Sequence, residues 1–147
     1  MPIVLQSAGI QHLLPLREFL QQLDLPVSDL PSDLSGFTLA FDAEQIVGTA
    51  GLELQGSLGL LRSVAVAATH RNQQLGQQLY TAALQYARSK GVQTVYLITT
   101  TADRYFEKHG FRPVQRSEVP ALIAQTEQFA TLCPSSAVVM KLDLAGE

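Results

Sequence analysis

Between residues 64 and 98 the spacing of apolar residues changes twice, and this constrains the fold more than any other feature of the chain. The run "SVAVA" reads as a strand. In "QQLGQQLYTAALQYARSKG", Leu75, Leu79, Ala82, Ala83 and Tyr86 then form one helical stripe, with Gly91 as its C-terminal stop. "TVYLITT" returns to β-branched and aromatic residues. A strand–helix–strand unit of this length predicts two parallel strands joined by a crossover helix.

The flanking segments predict antiparallel neighbours. "FTLAFD" and "QIVGTAGLEL" are strands joined by a hairpin turn at "DAE", and "LQGSLG" turns the chain into "LLRSVAVA". Before them, "IVLQSA" is a short strand, and Leu13, Leu16, Leu20 and Leu23 mark a helix with Pro15 in its first turn. "LPVSDLPSDLSG" is turn-rich, with room for a short helix or an irregular loop. After the crossover come a short helix "ADRYFEKHG", a strand "FRPV", helical signals in "SEVPALIAQTEQFATLC" and a last strand "SAVVMKLDL". The expected class is α+β, with a mixed, mostly antiparallel sheet in a single domain spanning residues 1–147.

Composition narrows the function. With 46% hydrophobic and 16% charged residues the chain has a globular balance, and a net charge of −3 argues against binding nucleic acid or anionic membrane through overall charge. No apolar run approaches the ~20 residues of a membrane span, and "MPIVLQSAGIQHLL" lacks the marks of a signal peptide. The single cysteine, Cys133, has no internal disulfide partner and fits a reducing, cytoplasmic setting. His12, His70 and His109 show neither metal-ligand spacing nor an evident acid partner, so no metal site is expected.

Three places bear chemistry. "RNQQLG" sits between strand and helix, where several backbone N–H groups converge and suit an anion. Taken alone it also reads as an ordinary helix start with a surface arginine. Gln74 keeps the N–H that a glycine would offer but adds a Cβ, so the cost is steric and conformational. Arg62 shares strand parity with Leu58, Leu60, Val64 and Val66, which puts a charge on an apolar face. There it is suited to a two-pronged grip on an acceptor carboxylate, unless a bulge turns it outward. Glu53, carried beside Gly59 by the hairpin, is the nearest acid for a general base, or else a solvated turn carboxylate.

The element order, with "SVAVAATHRNQQLG" before the long helix and "FEKHGF" (Phe106 to Phe111) after the next strand, resembles the GNAT superfamily of acyl-CoA-dependent N-acetyltransferases. The family pattern Q/R-x-x-G-x-G/A is met at Arg71 and Gly76, with Gln74 in place of the middle glycine. "LLRSVAV", "YLITTTADRYFEKHGF" and "VPALIAQTEQFATLCPSSAVVM" are similar to small amino-acid N-acetyltransferases associated with arsenic-resistance operons, and more distantly to the acetyltransferase domain of N-acetylglutamate synthase.

The resemblance implies acetyl-CoA as co-substrate. Its thioester and pantetheine would pair with the backbone of Val64, Ala65 and Val66, where the strand splays from its parallel neighbour. Its pyrophosphate would lie on Arg71, Asn72, Gln73, Gln74, Leu75 and Gly76. Thr99 aligns with a cofactor-contacting asparagine, Leu60 with a carboxylate and Phe106 with a tyrosine, while Tyr105 is rotated away by about 100°. The implied activity is direct acetyl transfer to the amine of a small amino-acid-like acceptor, with arsenic-compound resistance as one role. A non-catalytic acyl-CoA sensor and a protein or peptide acetyltransferase are the alternatives. A homodimer could form through "SAVVMKLDL", or that strand could complete the chain's own sheet.

Overall fold

The structure, a computed structural model, describes residues 3–23, 27, 30, 34–70, 74–99, 103–124, 126 and 137–144. In chain order the elements are β1 (Ile3–Ser7), α1 (Leu13–Gln22), β2 (Phe37–Asp42), β3 (Gln45–Gln55), β4 (Leu58–Val66) and α2 (Leu75–Ser89). There follow β5 (Thr94–Thr99), α3 (Asp103–Lys108), β6 (Arg112–Val114), α4 (Ala121–Ala124) and β7 (Val138–Asp143). Most of "LPVSDLPSDLSG" and of "TEQFATLCPSSA", Cys133 included, lies outside the described residues.

The strands form one sheet in the order β1-β2-β3-β4-β5-β7-β6. The predicted crossover holds: β4 and β5 are parallel from Leu58↔Thr94 to Leu61↔Leu97, with α2 between them in sequence. The pairs β1/β2, β2/β3, β5/β7 and β6/β7 are antiparallel. Of the two alternatives for β7, the strand completes the chain's own sheet. The three residues of β6 pair with Val139–Lys141, so β7 lies inside the sheet with both edges bonded, and the edge strands are β1 and β6.

The chain divides into two compact units, Met1–Leu52 with Arg62–Tyr86, and Glu53–Leu61 with Ala87–Glu147. In the first unit, Leu16, Phe19 and Leu20 of α1 pack with Ala8, Leu34, Phe37 and Leu39. The predicted stripe is right at its centre; Leu13 and Leu23 close its ends only partly buried. Each fully buried leucine contributes about 2–3 kcal/mol of transfer free energy. The buried line of α2 is Leu75, Leu79, Tyr80, Ala83, Leu84 and Ala87. Ala82 and Tyr86, expected at its centre, are half-buried, because the two bulky residues Tyr80 and Leu84 turn the inward face towards themselves.

In the second unit Leu60, Tyr96, Ile123 and Val139 form the core. Phe106 and Phe111 are both buried and meet edge to face at 5.6 Å between ring centroids. The Phe111 N–H donates to the Phe106 carbonyl at 3.1 Å across the end of α3. The stretch "FEKHGF" is thus a helix stop that folds one phenylalanine onto another.

Candidate active site

The geometry of the first unit turns on one extra residue. The two-residue turn Gly56–Ser57 pairs Gln55 with Leu58, and at the other end of the hairpin Ala67 N–H donates to the Val47 carbonyl at 2.8 Å. Counting inward from both ends leaves β4 one residue longer than β3. Ser63 is the extra residue: its φ of +55° lies in the left-handed region, the conformation of the first residue of a G1-type bulge. The bulge reverses alternation. Arg62 shares its face with Ala65 and Ala67, which pack against the α1 core, and not with Val64 and Val66 as strict alternation predicts.

Arg62, just before the bulge, points inward and is only 3% exposed. By the same count it falls opposite Gly51, and Gly51 pairs with Phe37. A Cβ on Gly51 would stand 2.5 Å from Phe37 Cε2, so the ring lies over the glycine. There it meets the guanidinium, whose Cζ is 6.0 Å from the ring centroid. Arg62 Nε–H also donates to Ser63 Oγ at 3.2 Å. One row further along the same face, Thr49 pairs with Leu39 and is fully buried, and its hydroxyl has no hydrogen-bond partner among the described residues. Sequence reading passed over Thr49, because a threonine in a strand carries no signal by itself.

Past Ala67 the chain makes a single 3-10 turn, Ala68–His70, and enters the segment Arg71–Gln73, which lies outside the described residues. Gln74 follows, exposed, with φ +59°, and its carbonyl accepts the Gln78 N–H at 3.2 Å as the N-cap of α2. The backbone at 74 is thus in the left-handed conformation that the family pattern marks with glycine. Leu75, Gly76 and Gln77 are the first helical residues, whose N–H groups have no acceptor within a helix. His70 does have an acid partner: its Nε2 lies 2.8 Å from Asp42 Oδ2 and its Nδ1 2.8 Å from Thr69 Oγ1. The sequence hides this pair because it joins residues 28 positions apart.

The other expected residues are placed as follows. Val64, Ala65 and Val66 are half-buried on β4 beyond the bulge. Glu53 is half-buried within β3, and the hairpin count sets it opposite Leu60, not Gly59, because the turn has only two residues. Thr99 ends β5 half-buried, opposite Val138. Tyr105 is exposed and packs against the rings of Phe106 and His109; partial burial raises its pKa, which keeps its hydroxyl protonated.

The family model for the acetyltransferase (GNAT) family matches residues 10–111. The chain belongs to that family. A search of curated proteins finds no match. Solved structures share the fold of this GNAT chain. An N-acetylglutamate synthase from Neisseria gonorrhoeae, complexed with coenzyme A and N-acetyl-glutamate, superposes with TM-score 0.78 at 16% identity, covering 98% of this chain and 35% of that one. Rv2747 from Mycobacterium tuberculosis, in complex with CoA and NLQ, gives 0.79 at 21%, covering 96% and 99%. A GNAT-family acetyltransferase from Staphylococcus aureus Mu50 gives 0.77 at 21%, covering 97% and 99%. The chain therefore spans about a third of the Neisseria synthase and nearly all of the other two. At these identities the likeness speaks for the fold.

Proposed function

We propose that this GNAT acetyltransferase moves acetyl from acetyl-CoA to the α-amine of a small acceptor that carries a carboxylate. The observation that carries the reading is Arg62, a guanidinium held at 3% exposure on a face built of Phe37, Gly51 and Ala65. A guanidinium on such a face can hold a ligand carboxylate in the planar, two-pronged way that it prefers. The Neisseria synthase held with coenzyme A and an N-acetylated amino acid supports the same substrate class.

The co-substrate fits the backbone present. The pyrophosphate lies at the N-terminus of α2, on the N–H groups of Gln74, Leu75 and Gly76, with Arg71, Asn72 and Gln73 contributing on the family pattern. Pantetheine follows the strand backbone of Val64, Ala65 and Val66 beyond the bulge, and Thr99 is the further contact that the family pattern suggests. The amine lone pair attacks the thioester carbonyl carbon, forming C–N as C–S breaks. Coenzyme A leaves through sulfur, with a thiol pKa near 8.5 that needs little acid assistance. Glu53, two residues from Gly51 along β3, is the proposed acceptor of the amine proton, directly or through water.

The test is thiol release from acetyl-CoA across free amino acids, including glutamate and an arsenic-containing amino acid, with a lysine peptide as contrast. Release with a free amino acid and none with the peptide is the expected result. The arsenic-containing acceptor is in the panel on the sequence resemblance, and its preference over glutamate would assign the resistance role. Coenzyme A binding without any acceptor-dependent release would point to a sensor instead.

A further inference from the structure

One edge of the sheet is blunted and the other is open. β6 has three residues, and Arg112 and Pro113 give it a charge and a residue with no N–H to donate. β1 has five, Ile3–Ser7, without a charge, a proline or a bulge: its register against β2 runs unbroken from Ile3↔Asp42 to Ser7↔Thr38. The outward backbone row of β1 follows from one hydrogen bond. Ala8 N–H donates to the Phe37 carbonyl at 2.9 Å, one step past the Ser7↔Thr38 pair. Alternation then turns the N–H and C=O of Gln6 and Val4 towards β2 as well, and those of Ile3, Leu5 and Ser7 away from it. Among the described residues, no strand takes up that outer row. Val4 is 52% exposed on the face of its partner Phe41, and Leu5 is half-buried beside the fully buried Ala40.

We propose that β1 is the seam of a homodimer, pairing antiparallel with β1 of a second copy about a two-fold axis at Leu5. A row of unpaired strand groups takes another strand, and this row is complementary to itself. With Leu5 opposite the partner's Leu5, each donates its N–H to the other's carbonyl. Ile3 and Ser7 exchange the same bonds with the partner's Ser7 and Ile3. Only outward residues take part, so the β1–β2 ladder of each copy is untouched. The two leucines then meet on one face, and Val4 meets the partner's Gln6 on the other. Charge agrees with the axis: a two-fold through a strand brings each side chain near its own copy, where a charge would repel itself, and β1 has none. Closure names a second copy as the occupant. Joining two sheets at β1 leaves, among the described strands, only β6 of each copy at an edge, and that strand is short and carries a proline. Assembly therefore stops at two. β7, bonded on both sides, leaves no seam of its own.

Sedimentation velocity of the full chain over a range of concentrations tests the seam, on wild type, Leu5→Pro, Leu5→Lys and Leu5→Val, each first shown to melt cooperatively. The wild type is expected to sediment as a monomer–dimer equilibrium. Leu5→Pro removes the central N–H from each copy without touching the ladder to β2, and is expected to raise the dimer Kd about thirtyfold, the size of two lost hydrogen bonds. Leu5→Lys sets two like charges opposite each other and should also raise the Kd. It carries the test if Leu5→Pro fails to fold. Leu5→Val keeps both the N–H and an apolar side chain, and is expected to stay within about threefold of wild type. A wild type that is monomeric at every concentration overturns the proposal, and so does a dimer that Leu5→Pro and Leu5→Lys leave intact. A loss in Leu5→Val as large as in Leu5→Pro would show that the leucine side chain, and not a strand ladder, joins the copies, and would overturn it too.

Discussion

Gln74 holds φ at +59° while its carbonyl accepts the first hydrogen bond of α2 from Gln78. An L-residue in that region costs about 1–2 kcal/mol through its Cβ. Glycine there would escape that cost but bring about 0.4–1 kcal/mol of extra unfolded-chain entropy. The first effect is larger, so Gln74→Gly is expected to raise stability by about 0.5–1 kcal/mol, read as a higher urea midpoint at constant m. A lower midpoint would mean that the glutamine side chain makes up for its backbone. The letters at 71–76 show a pattern short of one glycine. The backbone conformation that the glycine serves is present all the same. His70 shows the opposite limit: its acid partner comes from β2, and no local spacing in the sequence announces it.

At the scale of elements the bulge in β4 decides which residues share the face of Arg62: Ala65 and Ala67, and not Val64 and Val66. Gly51 permits that placement, since a methyl there would meet Phe37 Cε2, Cζ and Cδ2 at 2.5, 2.7 and 2.8 Å. Gly51→Ala is expected to cost about 1–3 kcal/mol, the range for overpacking a close contact. Adding Phe37→Leu removes the ring that the methyl strikes, so the double variant should lose less than the sum of the two single losses. Strictly additive losses in chemical denaturation would show that ring and methyl do not meet. The sequence revealed β4 and its buried face through continuous apolar residues, and an arginine among them was conspicuous. It did not reveal Ser63 as the bulge, because serine in a left-handed bend has no composition cue. Parity counted through it therefore assigned Val64 and Val66 to the wrong side.

Across the whole molecule, the order of elements was legible because the apolar period changes sharply at each boundary, and the β4–α2–β5 crossover then fixed two strands as parallel. The place of β7 was not legible. It depends on a three-residue strand, β6, too short to announce itself as a partner. The candidate site divides in the same way: backbone features of the cosubstrate end follow a motif, whereas the Phe37–Gly51–Arg62 row follows from register. That row carries the proposal that this GNAT chain takes an acceptor with a carboxylate. The most direct measurement is a thermodynamic cycle on turnover, comparing an accepted amino acid with its carboxamide in wild type and in Arg62→Ala. Loss of either the substrate charge or the arginine is expected to lower kcat/KM by about a hundredfold, and loss of both by no more than either alone. Equal losses for amino acid and carboxamide in Arg62→Ala would contradict the grip, and leave the arginine a purely structural charge.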